Sequence, residues 1–289
     1  MKLFTLMFFP LVVYAQNLTG VIDFHAHSDP DSRPRSIDAI DLAKLAKARG
    51  MRGLVLKNHF EPTASLAYLV RKEVPGLEVF GGISLDLTVG GMNPAAVEHM
   101  ASVKGGWGRV VWMPTFDSEN EVRQSKENRP FVPVVRNGHV TPEVKQVLAV
   151  IARRNLILET GHSAPEESLV LIREAVNLGI QKIVVTHAMA DVVNMNVAQM
   201  KEAAKLGAFL EFVYIPRPTS KRTIPEYTAA IRAIGPEHCI LSTDLGQPGS
   251  PLHPDGLVKL FQSLREQGFS EADIDRMAKK NPASLLGLP

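Results

Sequence analysis

Eight short apolar runs, each followed by a stretch punctuated as a helix, constrain this chain more than any other feature of its sequence. The runs are Val21 to His27, Gly53 to His59, Val79 to Asp86, Arg109 to Thr115, Leu156 to His162, Ile183 to His187, Ala208 to Tyr214 and Cys239 to Leu245. They are nearly unbroken in apolar character, as strands covered on both faces are, which argues for a parallel sheet under helices. Between them stand helix signals. Ser36 caps a segment that stops at Gly50, Asn93-Pro94 and Thr141-Pro142 open two more, Pro165 opens one ending at Gly179, and Thr223 opens one ending at Gly235. Eight such units are the number that closes a (β/α)8 barrel, the TIM barrel; an open doubly wound sheet is the alternative.

A chain of 289 residues, 45% hydrophobic and 21% charged, suits one domain of that kind. Residues 1–15 combine Lys2, an apolar stretch and small residues at Val13 and Ala15, the layout of a secretory signal peptide. An uncleaved anchor or a buried first strand is the alternative. Cleavage leaves residues 16–289 as a single barrel domain in the periplasm or outside the cell, and removal of Lys2 takes the formal charge from +2 to +1. Lys and Arg are scattered, so neither nucleic acid nor, after cleavage, a membrane is an expected partner. Cys239 is the only cysteine, which rules out an internal disulfide. One step along the chain is far longer than a single unit. Its excess, about residues 116–140, is polar at first and then β-like in PFVPVVRNG, and reads as a lid, a substrate wall or a plain surface hairpin.

In a barrel, ionisable groups belong at the carboxyl ends of the strands. Here the first run ends in His25 and His27, the second in Lys57, Asn58 and His59, the fifth in Glu159 and His162, the sixth in His187 and the eighth in Asp244. Alternation along a strand gives His25 and His27 one direction, with Asp23 behind them on the same side. Any one of these residues has a bland explanation as a satisfied polar group or a helix cap. Convergence on one rim carries the weight, because a metal offsets the desolvation cost of gathering such groups. The His/Asp set suits zinc or another borderline divalent ion with an open position for water, and bound water is then acidified to hydroxide near neutral pH. Asp244 takes the remaining proton and passes it to a leaving group.

This pattern resembles the amidohydrolase superfamily of metal-dependent (β/α)8 hydrolases. The resemblance covers nearly all of the mature chain: Asp23-Phe24-His25-Ala26-His27, then His162, His187 and Asp244 in order, and a tail, Asn281-Pro282-Ala283-Ser284-Leu285-Leu286-Gly287-Leu288, similar to that group's common ending. It implies His25, His27 and Asp244 on the more buried metal, His162 and His187 on a second ion or on substrate, and Asp244 as general base. A mononuclear relative needs His25, His27, His162 and Asp244, leaving His187 to polarise substrate. The fourth run, Val110-Val111-Trp112-Met113-Pro114-Thr115, offers neither the lysine nor the glutamate that binuclear members place there. Lys57, on one face with His59, is the substitute candidate: a carboxylated lysine bridging two ions, against a plain substrate contact or rim lysine. By alternation Glu159 lies opposite His162 and contacts a helix.

His59 also resembles a second-strand histidine of barrel phosphoesterases. It is assigned to substrate binding, together with Arg33 and Arg217, whose forks suit a carboxylate. Arg35, His139 and His253 sit in loops that reach the pocket or stay in solvent. The expected activity is hydrolysis of an amide, cyclic amide or ester of a small molecule by metal-bound hydroxide, with one or two ions. The alternatives are a mononuclear zinc decarboxylase and a non-catalytic barrel that binds a small ligand. Homo-oligomerisation is compatible with each.

Overall fold

The apolar runs pair in chain order. In the computed structural model, which describes residues 18–215 and 221–289, the strands are β1 (Ile22–Ala26), β2 (Gly53–Leu56), β3 (Glu78–Ser84), β4 (Gly108–Trp112), β5 (Val135–Arg136), β6 (His139–Val140), β7 (Ile157–Glu159), β8 (Ile183–Val185), β9 (Phe209–Phe212) and β10 (Cys239–Leu241). Eight form one parallel sheet in the order β1-β2-β3-β4-β7-β8-β9-β10. Its edges meet where Ala26 bridges Leu245: His27 N–H donates to the Leu245 carbonyl (3.0 Å) and Asp244 N–H to that of His25 (2.8 Å). The architecture is therefore the eight-stranded barrel rather than the open sheet. Among the described residues no helix is long and apolar enough to cross a membrane. The leader segment 1–15 and Arg217 lie outside the described residues.

Two apolar layers hold the barrel. The larger lies between sheet and helices, where Leu42, Ala46, Val147, Ile151, Leu171, Ile172, Leu257 and Leu260 are buried against the outer faces of the strands. The smaller fills the lower interior with Ile22, Phe24, Val55, Phe80, Val110, Trp112, Ile157, Val184 and Ile240, and is closed below by Ala283, Leu285 and Leu286 of the last helix, Asn281–Leu286. Asn281 secures that closure by donating to the carbonyls of Pro236 (2.9 Å) and Cys239 (2.7 Å) at the start of β10. The final motif is thus a base plate.

Local differences from the sequence expectations have identifiable causes. The first helix, Ala39–Ala48, is capped by Asp38, whose carboxylate accepts from Ile40 and Asp41 N–H, and not by Ser36. The caps at Asn93, Thr141 and Thr223 form as expected. The long connection after β4 contains the helix Glu119–Ser125 and the antiparallel pair β5 and β6. That hairpin turns through Asn137 and Gly138, both at positive φ, the two-residue turn whose twist matches antiparallel strands.

Candidate metal centre at the barrel mouth

β1 does not alternate cleanly. Ile22 and Phe24 face the interior, Ala26 packs in the outer layer, and the pairing register with β2 shifts between Asp23 and Ala26. The shift is a bulge, and it turns His25 and His27 into the barrel directly above the apolar floor. Asp23 does not stand behind the histidines. Its carboxylate accepts from the N–H of His25 (3.2 Å) and from the N–H (2.9 Å) and hydroxyl (2.6 Å) of Thr243, so it ties the bulge to the eighth strand of the barrel. Burial pushes Asp23 up to about 6 against those three donors.

The inward turn brings three atoms together. His27 Nε2 lies 3.0 Å and His25 Nε2 3.4 Å from Asp244 Oδ1, and His25, His27 and Asp244 form a buried group that can hold a metal ion. His25 Nδ1 stands 3.2 Å from Glu211 Oε2, and Nε2 has no hydrogen-bond partner of its own. A histidine fastened through one ring nitrogen to a carboxylate, with the other aimed at a shared point, has the form of a metal ligand. Asp244 is held at φ +50° and His187 at φ +28°, both in the left-handed region that side chains avoid. Strain of this kind collects at functional sites.

The other histidines complete the rim. His187 lies over His25 at 5.8 Å between ring centroids, and His162 over His187 at 5.0 Å. Gly161, at φ +61°, lets the chain swing His162 inward; a Cβ there would sit 2.3 Å from the Met113 carbonyl oxygen. The same kink overturns the expected position of Glu159. Alternation does not continue past the end of β7, so Glu159 shares the interior face with Ile157, wholly buried, and accepts from the Thr186 hydroxyl (2.8 Å) instead of contacting a helix. Gly246, at φ +123°, gives similar clearance beside the His27 carbonyl.

Burial decides the protonation of the cluster. It holds His27 and His59 well below the usual imidazole range, and His162 and His187 at about 3. All four are therefore neutral near pH 7, the form that ligates a metal. Burial also lowers Lys57, against the pull of Asp244, Asp86, Glu159 and Glu211. Glu159 is pushed well above the carboxylate range by burial and by Glu211. Burial also works to raise Glu211, but His25 and His187 beside it hold it below that range.

Lys57 and His59 do meet, Nζ to Nδ1 at 3.3 Å, with Lys57 fully buried. Arg33 is exposed and lies over the Phe116 ring (4.4 Å), which in turn lies 4.3 Å from His59. Arg35 is engaged in a buried ion pair with Asp31. His139 is exposed in β6, whereas His253 is wholly buried at the start of the helix His253–Glu266. Glu121, from the helix in the long connection, holds His162 Nδ1 at 2.8 Å. With Phe116 it makes that connection a wall of the site.

Four participants escaped the sequence reading: Asp86, Thr115, Glu121 and Glu211. Two carried a usable signal. Asp86 ends the third run just as Asp244 ends the eighth, and Glu211 is a lone charge inside Ala208 to Tyr214. Thr115 and Glu121 carried none.

A family model described as a family of unknown function (DUF6282) matches residues 20–211. No curated protein matches. Among solved structures the chain is similar to an organophosphorus hydrolase from Deinococcus radiodurans (17% identity, TM-score 0.65, 94% of this chain and 93% of that one). It is similar also to a putative 2-pyrone-4,6-dicarboxylic acid hydrolase from Pseudomonas putida (16%, 0.64, 94% and 98%) and to the probable dipeptidase PvdM from Pseudomonas aeruginosa (12%, 0.67, 94% and 96%). At these identities the likeness establishes the barrel fold.

Proposed function

The chain belongs to the DUF6282 family of unknown function, and we propose that it is a metal-dependent hydrolase of the amidohydrolase type, cleaving an amide, cyclic amide or ester of a small molecule. The observation that carries this reading is the convergence of His25 Nε2, His27 Nε2 and Asp244 Oδ1 at the mouth. The residues fit a divalent ion, with zinc the best match to two imidazoles and a carboxylate. An ion held there acidifies water and polarises the scissile carbonyl. The solved structures of similar fold are named as hydrolases of three kinds, which agrees with a hydrolytic role here.

The protein's own groups divide the work. Glu211 accepts the Nδ1 proton of His25, leaving Nε2 with its lone pair toward the ion. Glu121 does the same for His162. Asp244, whose Oδ1 lies between the two β1 histidines, would take the proton from the attacking water on its other oxygen and return it to the leaving group. His187 polarises substrate or holds a second ion. Phe116 and Phe60, 6.2 Å apart, provide an apolar wall, and Arg33 at its edge, with Arg217, provides a fork for a substrate carboxylate. The leader pattern of residues 1–15 supports a periplasmic or extracellular location for the mature protein.

A mononuclear zinc decarboxylase is the second reading, favoured by the buried amine of Lys57 close to the His25, His27 and Asp244 group; the second group that could hold a metal, His25, Glu159 and Glu211, shares His25 with the first. Metal content per chain, read with a panel of amides, lactams and esters and with detection of carbon dioxide, tests both. Hydrolysis that stops on chelation and returns with zinc is expected. Release of carbon dioxide without hydrolysis transfers the case to the decarboxylase, and a protein that takes up no metal ends both readings.

A further inference from the structure

A chain of three buried groups lies outside the metal cluster. Asp86, two residues past the end of β3, accepts at Oδ1 from the N–H of Thr115 and of Asp117 (2.9 Å each), and at Oδ2 from the Thr115 hydroxyl (2.6 Å). Thr115 Oγ1 lies 2.9 Å from His59 Nδ1. Burial raises Asp86, while the Thr115 hydroxyl and two backbone donors on one oxygen work against it and favour the carboxylate form, which only accepts. The hydroxyl proton of Thr115 is therefore committed to Asp86. Its oxygen has only lone pairs left for His59, so Nδ1 must be the donor. Direction passes along the chain from a fixed carboxylate to an imidazole.

We propose that Asp86 and Thr115 are positioning residues that lock His59 in its Nδ1–H tautomer, making Nε2 a fixed hydrogen-bond acceptor that selects substrates carrying a donor at that point. Nε2 has no hydrogen-bond partner among the described residues, and His59 is sandwiched between His27 (4.9 Å, stacked) and Phe116 (4.3 Å). The ring cannot turn to offer its N–H instead without losing Thr115. An amide N–H or a hydroxyl satisfies the acceptor. A substrate presenting only acceptors there leaves a lone pair unpaired, which such sites discriminate against strongly. The same polarity turns an N–H toward Lys57, so the 3.3 Å contact with Nδ1 is a hydrogen bond only with Nζ as the neutral amine, and the shorter bond to Thr115 takes the proton. The selectivity rests on the hydrolase reading, but the tautomer does not.

Long-range proton–nitrogen correlation spectra of histidine-labelled protein, with His59 assigned from His59→Asn, read the tautomer without any substrate. The expected result at neutral pH is Nδ1–H for His59, retained in Thr115→Ser. In Thr115→Val, which removes the acceptor and leaves Asp86 its two backbone donors, the Nε2–H form should appear. Asp86→Asn should invert the chain outright, because its amide can donate to Thr115. Adding zinc should leave His59 Nε2 unshifted while moving His25 and His27. An Nε2–H or fully protonated His59 in the unaltered protein, a tautomer indifferent to Thr115→Val, or a zinc-induced shift at His59 Nε2 overturns the proposal.

Discussion

Two halves of one barrel interior differ by a single side-chain period. Below, Ile157, Val184 and Ile240 fill an apolar floor; two residues further along the same strands stand Glu159, Thr186 and Ser242, and β2 steps likewise from Val55 to Lys57. Both halves are buried, so exposure does not distinguish them. The difference lies in how the cost of burial is met: below by dispersion and expelled water, above by paired carboxylates, neutral imidazoles and, on the proposed reading, a metal ion. Stability and chemistry occupy adjoining levels of one cavity.

The sharpest test of that division is Asp244→Asn. It should lower turnover by a factor on the order of 10²–10⁴, the usual contribution of a positioned acid–base group, with an unchanged melting temperature. Near-full activity would remove Asp244 from the chemistry. Ile157→Ala makes the opposite cut, costing roughly 2–5 kcal/mol by denaturant titration through the cavity it leaves, with turnover per folded molecule preserved. If activity falls with it, the two levels are not separable. Glu211→Gln lies on the boundary. It should weaken zinc binding by about 10–100-fold in chelator competition, the usual effect of removing a histidine's outer carboxylate, and a smaller stability change should accompany it.

The mildest effect belongs to His253, which burial holds at about 4. Because that lies below the ordinary value near 6.5, the unfolded chain binds the proton first as the pH drops. Stability should be complete above about pH 6.5 and decline toward pH 4. His253→Gln should flatten that part of the pH–stability curve; an unaltered curve would assign the acid sensitivity to the mouth histidines alone.

Much of this was legible in the sequence because it is local. Eight apolar runs and the caps at Asn93, Thr141 and Thr223 each follow from a few neighbouring residues. The rim histidines were legible because strand ends point where strands point. What escaped was set across the barrel. The bulge in β1 depends on Thr243 engaging Asp23, some 220 positions away. His162 turns inward because Gly161 fits beneath Met113, and Glu159 was misplaced by extending a two-residue period past the end of its strand. Glu121 finds His162 only after a long connection has folded back.

Glu211 repays a last look, since one oxygen, Oε2, takes both the His25 ring (3.2 Å) and the backbone N–H of His187 (2.8 Å). One imidazole and the backbone that carries another are thus yoked to one peg, and neither can drift without dragging the other. Substitutions that reshape this mouth should consequently alter both together or be tolerated by neither, so that new specificities would arise from the surrounding walls while the yoke stays as it is.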